Sequence, residues 1–221
     1  SMVIDVKDDL GYLSYSSKIK MAKSLNSSKK KVRNIRSLIT RLEKNNIYTI
    51  ARIVVFKDPL LAQSRPELAL KVKKKNIKAE IDSAKSDPFK DNREDNNEFE
   101  NSDKVKNDSN LNSNGVKVKN ENKKKEYMIY KSRKWVNPFK KEVWDYNIKI
   151  AEEALRLGFD EVQFDYIRYP ALKNGTVVLS EKSKIKSINN FITYAKERLK
   201  SFNKPVSIDV FGLTTSVKNG L

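Results

Sequence analysis

Gly158-Phe159-Asp160-Glu161-Val162-Gln163-Phe164-Asp165-Tyr166-Ile167-Arg168-Tyr169-Pro170 decides the fold. A strongly helical segment ends at Gly158, a strand begins almost at once, and a proline closes it. From Val162 the residues alternate, with Val162, Phe164 and Tyr166 on one face and Gln163 and Asp165 on the other. Surface antiparallel strands alternate in the same way, so the context has to decide. Helical segments on both sides make this a βα repeat whose apolar face meets helices. The opposite face, with Asp165 near the carboxyl end, then looks into a barrel or crevice, where parallel folds place their chemistry.

Working outward, Val3 to Asp9 reads as a short strand that runs into an Asp-Asp-Leu-Gly turn. Residues 29–45 read as a helix with Val32, Ile35, Ile39 and Leu42 on one face, Ser27 or Ser28 as its cap and Asn45-Asn46 as its end. Tyr48 to Phe56 is a second strand, apolar and β-branched as a strand buried on both faces should be. A short helical piece follows Pro59 through Leu60, Leu61 and Leu68. Asn137 and Pro138 predict a helix start, Trp144, Ile148, Ala151 and Leu155 its stripe, and Gly158 its stop. A helix capped by Ser180 carries Ile185, Ile188, Ile192, Ala195 and Leu199, and Val206 to Phe211 is the fourth strand. The order β-α-β-α-β-α-β calls for a parallel sheet with right-handed crossovers. The expected fold is α/β, a partial (β/α)8 TIM barrel of about four parallel βα units with a long polar insertion.

That insertion sets the domain organisation. Residues 1–75 form the first βα units, and 127–221 form further units of the same barrel domain. Between them, 76–126 shifts to Asn, Asp, Lys, Ser and Glu with few apolar anchors. Such a stretch cannot bury enough surface to offset its ordering entropy, so it reads as a solvated, disordered insertion. The alternative is a small β excursion near Lys125 to Trp135, where Tyr127, Ile129 and Tyr130 cluster.

Composition removes whole classes of chemistry. The chain of 221 residues has no cysteine and no histidine, which excludes disulfides, thiolate nucleophiles, His-based triads and the common zinc motifs. Acid–base work falls to carboxylates, lysines or tyrosines. Lysine and arginine outnumber acids 46 to 28, a formal charge of +18. Spread as they are, these lysines fit a compositional bias as readily as a polyanion partner. No RNA-binding signature is present, so nucleic acid is not expected as a partner. No apolar run is long enough to cross a bilayer, and no signal peptide precedes the first strand.

Strand parity assembles the candidate site. The inward positions are Asp5 and Lys7, then Arg52, then Gln163 and Asp165, then Ser207 and Asp209. Charges facing inward on four strands are costly unless paired or wetted. They are either structural ion pairs or the lining of a polar cleft. Asp8, Asp9, Lys57, Asp58 and Arg168 lie just past strand ends and extend the cleft, and Trp135 and Tyr169 are candidate aromatic platforms. No EF-hand spacing joins Asp8, Asp9 and Asp58, so no metal is predicted, and no cofactor either.

Six blocks, in order, carry a resemblance: 3–9, 50–59, 135–139, 142–147, 158–170 and Asp-Val-Phe-Gly at 209–212. The chain resembles the glycoside hydrolase family labelled DUF4015, a domain of unknown function. The resemblance implies a TIM barrel akin to the α-amylase-like glycosidases, a carbohydrate substrate, and Asp165 and Asp209 where such barrels keep catalytic acids. Asp5, Lys7, Asp8, Arg52, Lys57, Asp58, Trp135, Gln163 and Arg168 are then the expected substrate-binding set. The expected function is hydrolysis of a glycan by carboxylate acid/base or nucleophilic catalysis, or the inactive remnant of that activity. A non-catalytic carbohydrate- or polyanion-binding protein is the alternative. A sheet of four barrel strands has two open edges, at Val3–Lys7 and Val206–Phe211, and self-association through them is a further expectation.

Overall fold

Four strands pair in chain order into one parallel sheet, and the helices between them supply its covered face. The computed structural model describes residues 1–75, 127–170, 176–177 and 181–210. The sheet is built from β1 (Met2–Lys7), β2 (Thr49–Val54), β5 (Glu161–Asp165) and β7 (Val206–Ile208), in the spatial order β1-β2-β5-β7. Each neighbouring pair is parallel. This is the expected run of βα units, with consecutive strands adjacent as in a barrel. The expected insertion at 76–126 lies outside the described residues.

The helices follow from apolar spacing and identifiable ends. α1 (Lys20–Ser24) is a single short turn in a stretch where the sequence predicts no element. α2 (Ile35–Lys44) is shorter than expected, because Asn34 caps it by accepting the Ser37 N–H at 3.0 Å, which leaves Val32 ahead of the helix. Ile35, Ile39 and Leu42 are buried as anticipated. α4 (Lys141–Leu157) begins three residues beyond Pro138, since Asn137 instead closes a turn by accepting the Phe139 N–H at 3.0 Å. Gly158 ends it in the left-handed region, at φ 107°, as expected of a glycine after the last turn. In α5 (Glu181–Leu199) the stripe is corrected. Ile185 is 55% exposed, Ala195 and Leu199 are buried as expected, and Phe191, outside the expected stripe, is fully buried. Its ring sits edge-on to Phe56 at 5.3 Å, Phe164 at 5.5 Å and Trp144 at 6.2 Å, joining α5 to β5, α4 and the segment just after β2.

A second, antiparallel sheet was only partly foreseen. β3 (Ala69–Lys75) pairs with β4 (Tyr127–Val136) on one side and β6 (Thr176–Val177) on the other. The region after Pro59 is therefore α3 (Pro59–Ser64) followed by a strand, where the sequence reading continued the helical piece to Leu68. β4 realises the β excursion that was the minority alternative for 125–135.

The turn after β1 is tightly built. Gly11, at φ 90°, lies so close to Asp58 that an added Cβ would meet its Oδ1 at 2.1 Å. Gly11→Ala should therefore lower stability by about 2 kcal/mol or more, through left-handed strain and overpacking together. Chemical denaturation of the variant checks this, and an unchanged midpoint would remove the argument.

Candidate functional site

The register lays polar side chains across the open face of the sheet. Asp5 pairs with Arg52, Arg52 with Gln163, and Gln163 with Ser207. On β5, Val162 and Phe164 are buried against the helices, whereas Glu161, Gln163 and Asp165 are half-buried on the other face. Arg52 is the centre of this row. Its Nη1 donates to Asp5 Oδ1 at 2.7 Å, while Nε at 3.0 Å and Nη2 both donate to Asp165 Oδ2. The other Asp165 oxygen, Oδ1, accepts the Tyr166 N–H at 2.6 Å. Burial works against the Arg52 charge, but the hydrogen bonds to Asp5 and Asp165 more than offset it and hold the guanidinium above its ordinary value.

Asp209 is set one strand further on. Its backbone N–H donates to the Phe164 carbonyl at 2.8 Å, extending the β5–β7 ladder past Ile208. Its Oδ1 accepts from Gln163 Nε2 at 3.1 Å. Partial burial first, and then the negative charge of Asp165, push the Asp209 carboxyl above the ordinary aspartate value, with Arg52 opposing. Two neighbouring carboxyls thus occupy unlike environments. Asp165 takes its hydrogen bonds from a cation and a backbone N–H, and Asp209 from a neutral amide.

At the carboxyl end of the sheet a second group gathers. Lys57 Nζ pairs with Asp9 Oδ2 at 3.0 Å and lies 5.1 Å from the Tyr166 ring centre. The Arg168 guanidinium lies 5.1 Å from the same ring and 5.3 Å from that of Trp135. Asp8 closes the turn, its Oδ1 accepting the Leu10 and Tyr12 N–H groups at 3.1 and 2.8 Å and its Oδ2 meeting Lys31 at 3.2 Å.

Four expected cleft residues lie elsewhere. A register shift between Asp5 and Lys7 turns Lys7 to the helix side, opposite to simple alternation. Lys7 is fully buried, with its ammonium 2.7 Å from Asp58 Oδ2, 2.9 Å from the Val54 carbonyl and 3.0 Å from Asn147 Oδ1. Asp58 is buried with it and caps α3 by accepting the Leu61 N–H at 2.8 Å. Trp135 is 3% exposed and belongs to the core, because Tyr166 and Arg168 cover its ring. Tyr169 is buried with its hydroxyl 2.8 Å from Ser187 Oγ, and burial pushes that phenol up to about 12. The aromatic residue at the mouth is Tyr166 instead. Alternation put its side chain with Val162 and Phe164, but its backbone leaves the strand at φ 51°, and nothing in the periodicity signals that.

Asp8, Asp9 and Asp58 turn to three different lysines, and among the described residues no group of three or more acidic side chains is placed to hold a metal. Among the same residues no helix is long and apolar enough to cross a membrane.

No curated protein matches the chain. Among solved structures, a hypothetical protein from Ruminiclostridium thermocellum ATCC 27405 is similar, at 31% identity and a TM-score of 0.60 over 95% of this chain and 83% of that one. A weaker likeness is to Aspergillus fumigatus Ega3 in complex with galactosamine, at 14% identity and a TM-score of 0.39 over 84% of this chain and 53% of that one. At that distance nothing of Ega3 is carried over. The family model described as "Putative glycosyl hydrolase domain" matches residues 1–98 and 101–221, so the chain belongs to the DUF4015 family.

Proposed function

We propose that this protein hydrolyses glycosidic bonds by a retaining mechanism, with Asp165 as nucleophile and Asp209 as acid and then base. The observation that carries this reading is the unlike environment of two carboxyls on hydrogen-bonded neighbouring strands, at the end of the sheet where parallel folds react. Neighbouring strands lie about 4.8 Å apart, which favours the short carboxyl separation of retaining enzymes.

In the first step Asp165 attacks the anomeric carbon and Asp209 protonates the departing glycosidic oxygen, leaving a glycosyl ester on Asp165. In the second, Asp209 takes a proton from water as that water attacks the anomeric carbon, and Asp165 is released. Asp209 must be protonated at the start, and its raised pKa extends the protonated form to higher pH. Turnover should therefore fall as pH rises through that pKa.

The anomeric configuration of the first product, followed by proton NMR on a hydrolysed glycan, tests the assignment. Retention is expected, and clean inversion would remove Asp165 as nucleophile. Carboxyl-carbon NMR tests the electrostatics without any substrate. The Asp209 pKa should drop in Asp165→Asn, which removes the repelling charge, and rise in Arg52→Gln, which removes the opposing one. If neither variant moves it, the two carboxyls are not coupled.

A further inference from the structure

We infer that the basic segment between β1 and the end of α2 is a docking surface for an acidic polysaccharide, and that it leads such a chain to the cleft. The second part rests on the glycosidase reading. The docking itself does not.

From Leu10 to Leu42 the chain holds nine lysines and arginines and no aspartate or glutamate. Half of the formal charge of +18 therefore sits in one short stretch, widely as lysines are spread elsewhere. All nine residues are exposed. The backbone that carries them is fixed. Leu13 bridges to Ser28 in parallel, the Lys29 N–H donates to the Leu13 carbonyl at 2.8 Å, and the Val32 N–H donates to that of Ser14 at 2.9 Å. The Ser17 N–H donates to Ser28 Oγ at 3.2 Å, so Lys18 and Lys29 each follow directly on a paired residue. The two arms thus lie side by side and gather their cations into one patch, held in place before any ligand arrives.

The acids nearby leave most of this charge unmatched. Among the described residues two carboxylates, Asp8 and Glu153, accept hydrogen bonds from the segment. Glu153 lies beneath it, with Oε2 accepting the Tyr15 and Ser17 hydroxyls at 2.7 and 2.6 Å and Oε1 the Lys18 N–H at 2.9 Å. Asp8 pairs with Lys31 at 3.2 Å. The side chains of Lys18, Lys20, Lys23, Lys30, Arg33 and Arg41 make no ion pair.

The surroundings select the kind of polyanion. Of the large apolar side chains in the segment only Leu10 is exposed, so a lipid surface would find no apolar face to bury. The Lys29 ammonium lies 3.5 Å from the centre of the Tyr12 ring, which takes that face from a stacking base. Between the cations stand exposed neutral groups such as Ser16, Asn26 and Thr40, which suit sugar hydroxyls. The patch also begins at the cleft. Lys31 reaches Asp8, which closes the turn after β1 at the carboxyl end of the sheet, the end that carries Asp165 and Asp209. The fitting ligand is a pyranose chain with anionic groups along it, and the field of the patch would concentrate it there.

The test uses the full chain and compares polygalacturonate with its methyl ester, which keeps the sugars and removes the charge. In calorimetric titration at low salt the acid form should bind about tenfold more tightly or better. Exchanging Lys18, Lys20, Lys23 and Lys30 together for glutamine removes exposed groups outside ion pairs, so the fold should survive. Affinity for the acid form should fall about tenfold in that variant, and added salt should weaken the parent more than the variant. A matched variant with glutamine at Lys149, Lys186, Lys196 and Lys200 loses as much charge from other exposed positions. It should stay within about twofold of the parent, because distant charges are screened. Equal binding of acid and ester, no binding of either, or equal losses in the two variants would each overturn the inference. Tighter binding of poly(dT), or of vesicles of equal parts phosphatidylcholine and phosphatidylserine, than of polygalacturonate would overturn it as well. Titration needs no turnover, so a chain that binds as expected without cleaving any glycan would count against the hydrolase reading alone. Cleavage of a neutral glycan with no binding of the acidic one would count against this inference alone.

Discussion

Asp209→Asn is expected to lower kcat on an unactivated glycan by about 10²–10⁴-fold, the usual worth of a positioned acid–base group. Asparagine can neither protonate the leaving oxygen nor accept a proton from water, yet it still accepts the hydrogen bond from Gln163. The loss should therefore be chemical and the melting temperature nearly unchanged. The two carboxyls can be told apart by leaving group. A dinitrophenyl glycoside needs no protonation, so Asp209→Asn should form the glycosyl ester at near-normal rate and stall at its hydrolysis. Asp165→Asn should stay inactive on the same substrate, because nothing replaces the attacking oxygen. Azide separates them again. It should give a glycosyl azide of retained configuration with Asp209→Asn, where it attacks the ester, and of inverted configuration with Asp165→Asn, where it attacks the substrate directly. Full activity in either variant would end the proposed roles, and swapped azide products would exchange them.

The parallel sheet was legible because its signals are local and repeated. Val162 and Phe164 against Gln163 and Asp165 form a strand that only a half-wetted sheet explains, and Gly158 marks the helix end before it. The row of Asp5, Arg52, Gln163 and Asp165 on one face follows from the same parity. What escaped reading depends on single backbone events. One irregularity between Asp5 and Lys7 moves a lysine from the open face into the interior, and the hydrophobic pattern of β1 does not record it. One left-handed residue takes Tyr166 off the strand's alternation. Trp135 could be read as platform or core because its neighbours in space, Tyr166 and Arg168, lie over thirty residues further along. β3 escaped for another reason. Its lysine-rich sequence has weak strand propensity, and its pairing with β4 comes from tertiary contact.

Lys7→Met should destabilise the fold by about 3–5 kcal/mol, the cost of leaving one partner of a buried ion pair alone. Methionine matches the length of lysine and packs without a large void, so little of that loss would come from a cavity. The rest is electrostatic and polar. The ammonium donates to two oxygens, of Val54 and Asn147, and forms an ion pair with a third, of Asp58, and all three lose that partner at once in a site closed to water. For a chain of this size the midpoint of thermal unfolding should fall by roughly 6–20 °C. A second substitution separates charge from packing. Asp58→Asn keeps the cap on α3 and the shape that Gly11 fits against, but removes the buried negative charge. In the Lys7→Met/Asp58→Asn double variant more than half of the lost stability should return, a coupling that a double-mutant cycle measures directly. The same experiment decides between two roles for Lys7. A lysine that binds substrate would raise KM on replacement and leave the unfolding midpoint where it was. A lysine that braces Asp58 would drop the midpoint, and would do so with no substrate present. Asp58 also donates its backbone N–H to the Lys134 carbonyl at 2.9 Å, and it adjoins Lys57 in the chain. The buried pair is therefore tied to the segment that carries Lys57 and to the one that carries Trp135, on which the Tyr166 ring packs, and loosening it should disturb the rim before it disturbs Asp165 and Asp209 on their own strands.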